Sequence, residues 1–273
     1  MHPDADGKVS ATVKLNVVGQ ELTIDMRLPV RPTRPRELLP LYRGLSEHLT
    51  QAVLVHVHEG GRTVSCTRSC GACCRQLVPI AELEAWRIRE LIDELPEARR
   101  AVIRERFVAA RRRLAEGGLL QPLEDPTTIG PAAATGFGER YFALGIACPF
   151  LEDESCSIYE DRPVICREYL VTSPAANCAH PTRETIATVP VPSAVSRAIR
   201  WLTAPGQEQP PWVPLILAPE WAEAHPEPGP GHTGPELARE LFERLSHDVL
   251  PPEQAAAGQT AAEPGTTRAN QLP

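Results

Sequence analysis

Between Ala11 and Pro29 apolar residues take every second position: Val13, Leu15 and Val17, then Leu22, Ile24, Met26 and Leu28. Side chains alternate faces along a strand, so this period predicts a β-hairpin with one buried face, turning at Gly19-Gln20. The period lengthens after the proline-marked linker RPTRPREL. Leu41, Leu45, Leu49 and Val53 recur every fourth residue, which predicts an amphipathic helix over about 41–54 with Pro40 in its first turn. The following AVLVHVHEGG fits either a helix end or a short strand, and Gly60-Gly61 closes it in both cases.

Further along, Ile80, Leu83, Ile88, Leu91, Ile92 and Leu95 trace a helical stripe up to Pro96. That proline opens a second helix, with Ile103, Phe107, Ala110 and Leu114 facing inward and Gly117-Gly118 as its stop. Its other faces carry Arg99, Arg100, Arg104, Arg106, Arg111, Arg112 and Arg113 against Glu97, Glu105 and Glu116. This mixture reads as a solvated helix surface rather than a basic docking face. Residues 118–140, rich in Gly, Pro and Thr, are expected to form a loop. SAVSRAIRWL predicts a short helix, PGQEQPPWVP and HPEPGPGHTGP are turn-rich connectors, and PELARELFERLSHDVL is a last amphipathic helix opened by Pro235.

The expected fold is therefore α+β and helix-rich, an irregular cysteine-cluster domain with an N-terminal β-hairpin and a disordered C-terminal tail. Residues 1–34 supply the hairpin and linker. Residues 35–180 form the cysteine-cluster domain with a helical insert at 80–116, residues 181–250 a proline-rich helical region, and residues 251–273 the tail, too poor in apolar residues to order itself.

Composition narrows the function. A chain of 273 residues that is 42% hydrophobic can bury a core in one or two domains. The formal charge of −7 argues against general nucleic-acid binding, which needs a basic surface. The start, MHPDADGKVS, has no apolar run behind it that could serve as a signal peptide, and no stretch reaches the roughly 18–20 apolar residues that span a bilayer. The expectation is a soluble cytoplasmic protein with no membrane partner, in a compartment that keeps thiols reduced.

That compartment makes the eight cysteines informative. Their spacing is C-x3-C-x2-C-C at Cys66, Cys70, Cys73 and Cys74, then C-x7-C-x9-C-x11-C at Cys148, Cys156, Cys166 and Cys178. Thiolates are soft ligands, and clustered cysteines in a reducing environment suit zinc or iron–sulfur units. Cys70 and Cys73 around Gly71 let a tight turn aim two sulfurs at one ion. The side chains of Cys73 and Cys74 diverge, as two metal positions or two corners of one polynuclear unit require. Eight thiolates could make two four-sulfur zinc sites, one iron–sulfur cluster with spare thiols, or a shared binuclear cluster. Cys66, Cys70 and Cys73 also match the spacing used by radical S-adenosylmethionine enzymes, but Ala72 stands where those carry an aromatic, and no strand–helix repeat follows. Secondary candidates are His56, His58 and His180 as ligands, Arg162 and Arg167 as charge-offsetting donors to sulfur or as ordinary ion-pair partners of Glu160, Asp161 or Glu168, and the acidic run Glu152-Asp153-Glu154 as a solvated loop.

CGACCRQLVPI, followed after the helical insert by CPFLEDESCSIYEDRPVICREYL and Cys178, resembles the bacterial cysteine-cluster family of zinc- or iron-chelating domains with the signature CxxCxxCC. The resemblance covers roughly residues 66–178 and implies Cys66, Cys70, Cys73, Cys74, Cys148, Cys156, Cys166 and Cys178 as metal ligands. Cys66 departs from the signature by standing one residue early. Some members of the family are flagellin lysine methylases, which are larger proteins. Three functions remain open: a metal-binding protein whose cluster organises a domain that docks on a protein partner, a metal-dependent enzyme of redox or protein-modifying type, and a metal delivery or sensing protein.

Overall fold

The computed structural model describes residues 3–182, 184–204 and 206–247; the disordered tail expected at 251–273 lies outside them. Strands β1 (Lys8–Val17) and β2 (Gln20–Pro29) pair antiparallel, with Val13 opposite Ile24 and Leu15 opposite Leu22. Their turn is Val18-Gly19, one residue earlier than the sequence suggests. Both residues have positive φ, 46° and 84°, the left-handed pair that matches the twist of a two-residue hairpin. The Asn16 side chain accepts the Gly19 N–H at 3.1 Å and holds that turn.

After β3 (Pro32–Thr33), α1 runs from Leu39 to Glu59. It absorbs AVLVHVHE because Val53 and Val57 continue the four-residue spacing into the core. Strand β4 (Pro79–Ile80) precedes α2 (Glu82–Glu94) and α3 (Glu97–Glu116). The four inward residues expected of α3 are its buried ones. Helices α4 (Leu120–Glu124) and α5 (Pro131–Ala143) come next, so most of the region read as a loop is helical. Its glycines and threonines mask a tertiary anchor, because Leu123, Phe137 and Tyr141 are buried against Leu114 of α3 and Leu217.

Strands β5 (Leu151–Glu152) and β6 (Ser155–Cys156) form a tiny hairpin, followed by α6 (Val164–Glu168) and α7 (Val195–Ala198). Strand β7 (Val213–Pro214) pairs with β4, and after α8 (Ala218–Ala224) strand β8 (His232–Thr233) pairs with β3. Helix α9 (Gly234–His247) closes the described chain. Two connectors thus end in strands that fasten the C-terminal third to the front of the molecule.

Apolar side chains gather in three clusters. The largest joins the β1–β2 hairpin to α1, α7 and α9 through Leu28, Tyr42, Leu49, Val195 and Leu241. A second lies between α2, α3 and β7, where Phe107 meets Phe150 edge-on with ring centroids 5.6 Å apart. The third holds α4 and α5 against the end of α3. Cys148, Ile158 and Ile165 pack onto the second cluster, so the cysteine segment rests on the α2–α3 pair.

Each arginine on α3 has a local partner. Arg99 and Arg106 pair with Glu152, Arg100 with Glu97, Arg104 with Asp93, Arg111 with Glu124 and Glu220, and Arg112 with Glu116, while Arg113 donates to the Leu144 carbonyl. Among the described residues no helix is long and apolar enough to cross a membrane.

Candidate metal centre

The first cysteine group sits on a loop with little regular structure, so its shape depends on individual contacts. Ser65 N–H donates to the Val171 carbonyl at 2.9 Å and anchors Cys66 beside the chain that leads to Cys178. Cys70 N–H donates to Thr67 and Cys74 N–H to Gly71, forming a short 3-10 turn over Ala72–Arg75. A side chain at Gly71 would place its Cβ 2.6 Å from Leu151 Cδ1 and 3.0 Å from Glu154 Cα. Glycine is therefore required by the β5–β6 hairpin pressing on the loop, more than by the turn itself. Arg75 seals that contact with an ion pair to Glu154 at 2.6 Å.

The second group is brought in by backbone and buried-carboxylate bonds. Cys148 N–H donates to the Cys74 carbonyl at 2.7 Å and joins the two groups directly. Cys156 lies on β6, after a turn in which Asp153 and Glu154 have φ of 47° and 56°. The acidic run was expected to be solvated. Asp153 and Glu154 are exposed, and within that exposed turn Glu152 binds Arg99 and Arg106 while Glu154 binds Arg75, so two of the three carboxylates also brace the hairpin.

Cys166 rides on α6, which two buried glutamates fix. One Glu84 oxygen accepts Val164 N–H at 2.8 Å, and the other accepts Ala81 N–H at the start of its own helix at 3.0 Å. Glu168 accepts from Ser46 Oγ at 3.1 Å and from Ser196 N–H at 3.3 Å. Burial raises both carboxyls above their ordinary range. Sequence reasoning missed Glu84 and read Glu168 only as an ion-pair partner of an arginine, whereas it binds Ser46 and Ser196; the one available signal was Glu84 at the third position of a helix, where a carboxylate can reach back to the N-terminal backbone.

Six thiols, those of Cys70, Cys73, Cys74, Cys148, Cys156 and Cys166, line one cavity of about 70 Å³. Val78, Phe150, Ile158 and Leu215 complete its apolar wall, and Thr67, Arg68, Tyr159 and Arg162 its polar side. Cys178 is buried on a 3-10 turn over Ala175–Ala179 that packs against the Ala72–Arg75 turn. All eight cysteines are free thiols.

Their acidities record who neighbours whom. The Cys74 S–H donates to Cys73, which lowers the Cys73 thiol and, with burial, raises that of Cys74. Burial pushes Cys148 up to about 12, with Cys156 and Cys73 adding to it. Burial also raises Cys166, reinforced by Cys148, Cys73 and Cys156. Cys178 is raised by burial and then by Cys66, Cys70 and Cys73, and Cys66 by burial and then by Cys73 and Cys70.

The two candidate arginines separate cleanly. Arg167 is buried outside the lining of the thiol cavity, paired with Glu47 and donating to the carbonyls of Glu160 and Arg162. Arg162 lines the thiol cavity, its guanidinium 4.1 Å from the Tyr159 ring centroid, with Arg68 at 4.4 Å from the same ring. Its Nε is buried without a hydrogen-bond partner among the described residues. His56 and His58 lie exposed near the end of α1, where a two-residue offset sends them to different sides, and His180 is exposed beyond Cys178.

Among the described residues no group of three or more cysteine, histidine or acidic side chains is arranged so as to hold a metal ion. The donor set nevertheless fits zinc or iron. It consists of soft sulfur, a small space of about 70 Å³ and an unpaired buried guanidinium N–H that suits negatively charged metal–thiolate groups. Residues 65–186 match the model of a family described as CxxCxxCC, a "putative zinc- or iron-chelating domain". No curated protein and no solved structure matches the chain.

Proposed function

From the membership of residues 65–186 in the CxxCxxCC family, we propose that the protein binds zinc or iron through Cys66, Cys70, Cys73, Cys74, Cys148, Cys156, Cys166 and Cys178. The observation that carries this reading is the shared cavity: two stretches far apart in sequence, 70–74 and 148–166, place six thiols on one space of about 70 Å³. Pockets for organic ligands run to roughly 300–1,000 Å³, so this one has the size for ions and their bridging atoms. A bound ion would cross-link segments that the polypeptide joins only through short turns. Arg162 offsets the thiolate charge, Phe150, Ile158 and Leu215 keep water away, and Glu84 and Glu168 hold α6 so that Cys166 faces inward.

Protein purified without oxygen is expected to contain zinc or iron, and acid-labile sulfide with a brown colour would assign an iron–sulfur unit. Cys73→Ser and Cys166→Ser should each lower the metal content. Unchanged content in both variants would remove the joint site.

A groove of about 530 Å³ beside the thiols favours a second reading, a metal-dependent enzyme. It is lined by Gln76, Leu77, Phe142, Tyr169, Thr182 and Ile186, and Gln76 Nε2 donates to Tyr169 Oη at 3.2 Å on the wall nearest Cys74. A substrate seated there would meet that wall, and filling the groove with Ala143→Trp would block turnover while metal content stayed intact.

A further inference from the structure

We infer that the groove beside the thiols is their entrance for small uncharged molecules, which pass Gln76 into a site of water's size between Tyr141, Cys74 and Cys148. This assignment stands on three neighbouring spaces and not on the metal-binding reading above. Besides the groove of about 530 Å³ and the thiol cavity of about 70 Å³ there is a third space of about 10 Å³. It shares Gln76 with the groove, and it shares Cys74, Val78, Cys148 and Leu215 with the thiol cavity. No described residue lines both the groove and the thiol cavity. The three spaces therefore stand in a row, with Gln76 between the first two.

Volume and lining decide what the middle space can hold. About 10 Å³ is the room of one water molecule, and a molecule held there needs polar partners. Gln76 brings a carboxamide, Tyr141 a phenol and the two cysteines their thiols, while no charged side chain among the described residues lines it. A charged molecule would be stripped of water there with no opposite charge beside it. The thiol cavity itself is lined by Arg68 and Arg162, where anions meet their opposite charge. The middle space is left to neutral species of one or two heavy atoms, such as water, dioxygen and hydrogen peroxide. An organic molecule that fills the groove stops short of sulfur.

Gln76 has the attachments of a stopper. Its backbone is fixed, since its N–H donates to the Cys73 carbonyl at 3.1 Å where the Ala72–Arg75 turn ends. Its side chain is held by the bond from Nε2 to Tyr169 Oη at 3.2 Å. That bond joins two neutral groups at the long end of the hydrogen-bond range, and water in the groove can replace either partner. Gln76 can thus swing aside without moving the turn that carries Cys73 and Cys74. Tyr141 stays in place, because its ring is buried in the third apolar cluster with Leu114 and Phe137. Tyr169 acts as the latch and Tyr141 as the fixed wall.

Hydrogen peroxide tests the passage on protein purified without oxygen, because it is neutral and gives one oxygen atom to a thiol, leaving sulfenic acid and water. A short pulse stopped with catalase, followed by peptide mass spectrometry, reads the oxidation rate at each cysteine. Cys70 lines the thiol cavity but not the middle space and serves as the internal reference. Ala143→Trp plugs the groove from an exposed position and should slow Cys74 and Cys148 severalfold relative to Cys70. Gln76→Ala should speed both severalfold, Tyr169→Phe should do so to a smaller extent, and adding Ala143→Trp to either should cancel the gain. Rates at Cys74 and Cys148 that stay unchanged in these variants, or that change in step with Cys70, would overturn the passage. Tyr169→Phe removes a single hydroxyl and keeps the test decisive if Gln76→Ala loosens the turn. Zinc and iron content of the same samples bears on the metal-binding reading alone, so the two readings fail separately.

Discussion

Helix α3 keeps its place with Ile103, Phe107, Ala110 and Leu114, all buried on one face, whereas the chain from Cys148 to Cys178 has a five-residue helix and two two-residue strands. The first region is held by apolar burial, a non-directional force that tolerates much local variation. The second is held by directed contacts: the Cys148–Cys74 backbone bond, the Glu84 and Glu168 carboxylates, and the Glu152 and Glu154 ion pairs. A segment with so little regular structure gains most from an inorganic clamp. The α2–α3 pair supplies the floor on which the clamp can be assembled.

Metal removal should separate the two regions most strongly. Structural zinc contributes roughly 10–16 kcal/mol of apparent binding free energy in small domains. Chelation should therefore release amide protection across 148–178 while α1, α3 and the β1–β2 hairpin stay protected. Hydrogen exchange read by mass spectrometry checks this, and uniform loss of protection would erase the distinction.

The converse change is Leu114→Ala, at a fully buried position in the third cluster and outside the lining of the thiol cavity. Stability should fall by about 2–5 kcal/mol, measured by urea denaturation, with metal stoichiometry unchanged. A parallel drop in bound metal would show that the two regions are one cooperative unit.

The smallest expected effect is Glu84→Gln, which points an amide N–H₂ at a backbone donor and should cost about 1–3 kcal/mol. This cost should depend on pH. Burial raises the folded carboxyl above its ordinary value of 4.5, so the folded state holds the proton more tightly than the unfolded chain. The resulting stabilisation is fully present below pH 4.5 and is lost as pH rises through the folded value. The stability gap between wild type and Glu84→Gln, measured on metal-free protein at pH 5 and pH 8, should narrow at the higher pH.

The apolar pattern made some elements easy to read. The hairpin faces, the extent of α2 and the inward residues of α3 followed from periods of two and near four, because burial imposes those periods directly. Helices α4 and α5 were hidden because Gly136, Gly138 and Thr135 lower helix propensity, and the anchors Phe137 and Tyr141 act through tertiary contact. At the candidate site, the cysteines were visible by spacing and resemblance. Leu215, on the cavity wall, was not, since nothing in the local sequence around it reports that β7 pairs with β4 and brings it there. Arg162 and Arg167 looked alike as residues. Only the fold distinguishes the one that faces sulfur from the one held by Glu47.

The bond between Cys148 and Cys74 also bears on how the chain is made. On a ribosome, Cys66 to Cys74 emerge well before Cys148 exists, and for that interval their thiols lack the partners that later surround them. Helices α2 and α3 are synthesised within it. Once formed, they replace a long flexible loop with two stiff rods, which lowers the entropy lost when the ends meet. The insert thus shortens the search between the two cysteine groups, and a metal held by both of them would be loaded late in the life of the nascent protein.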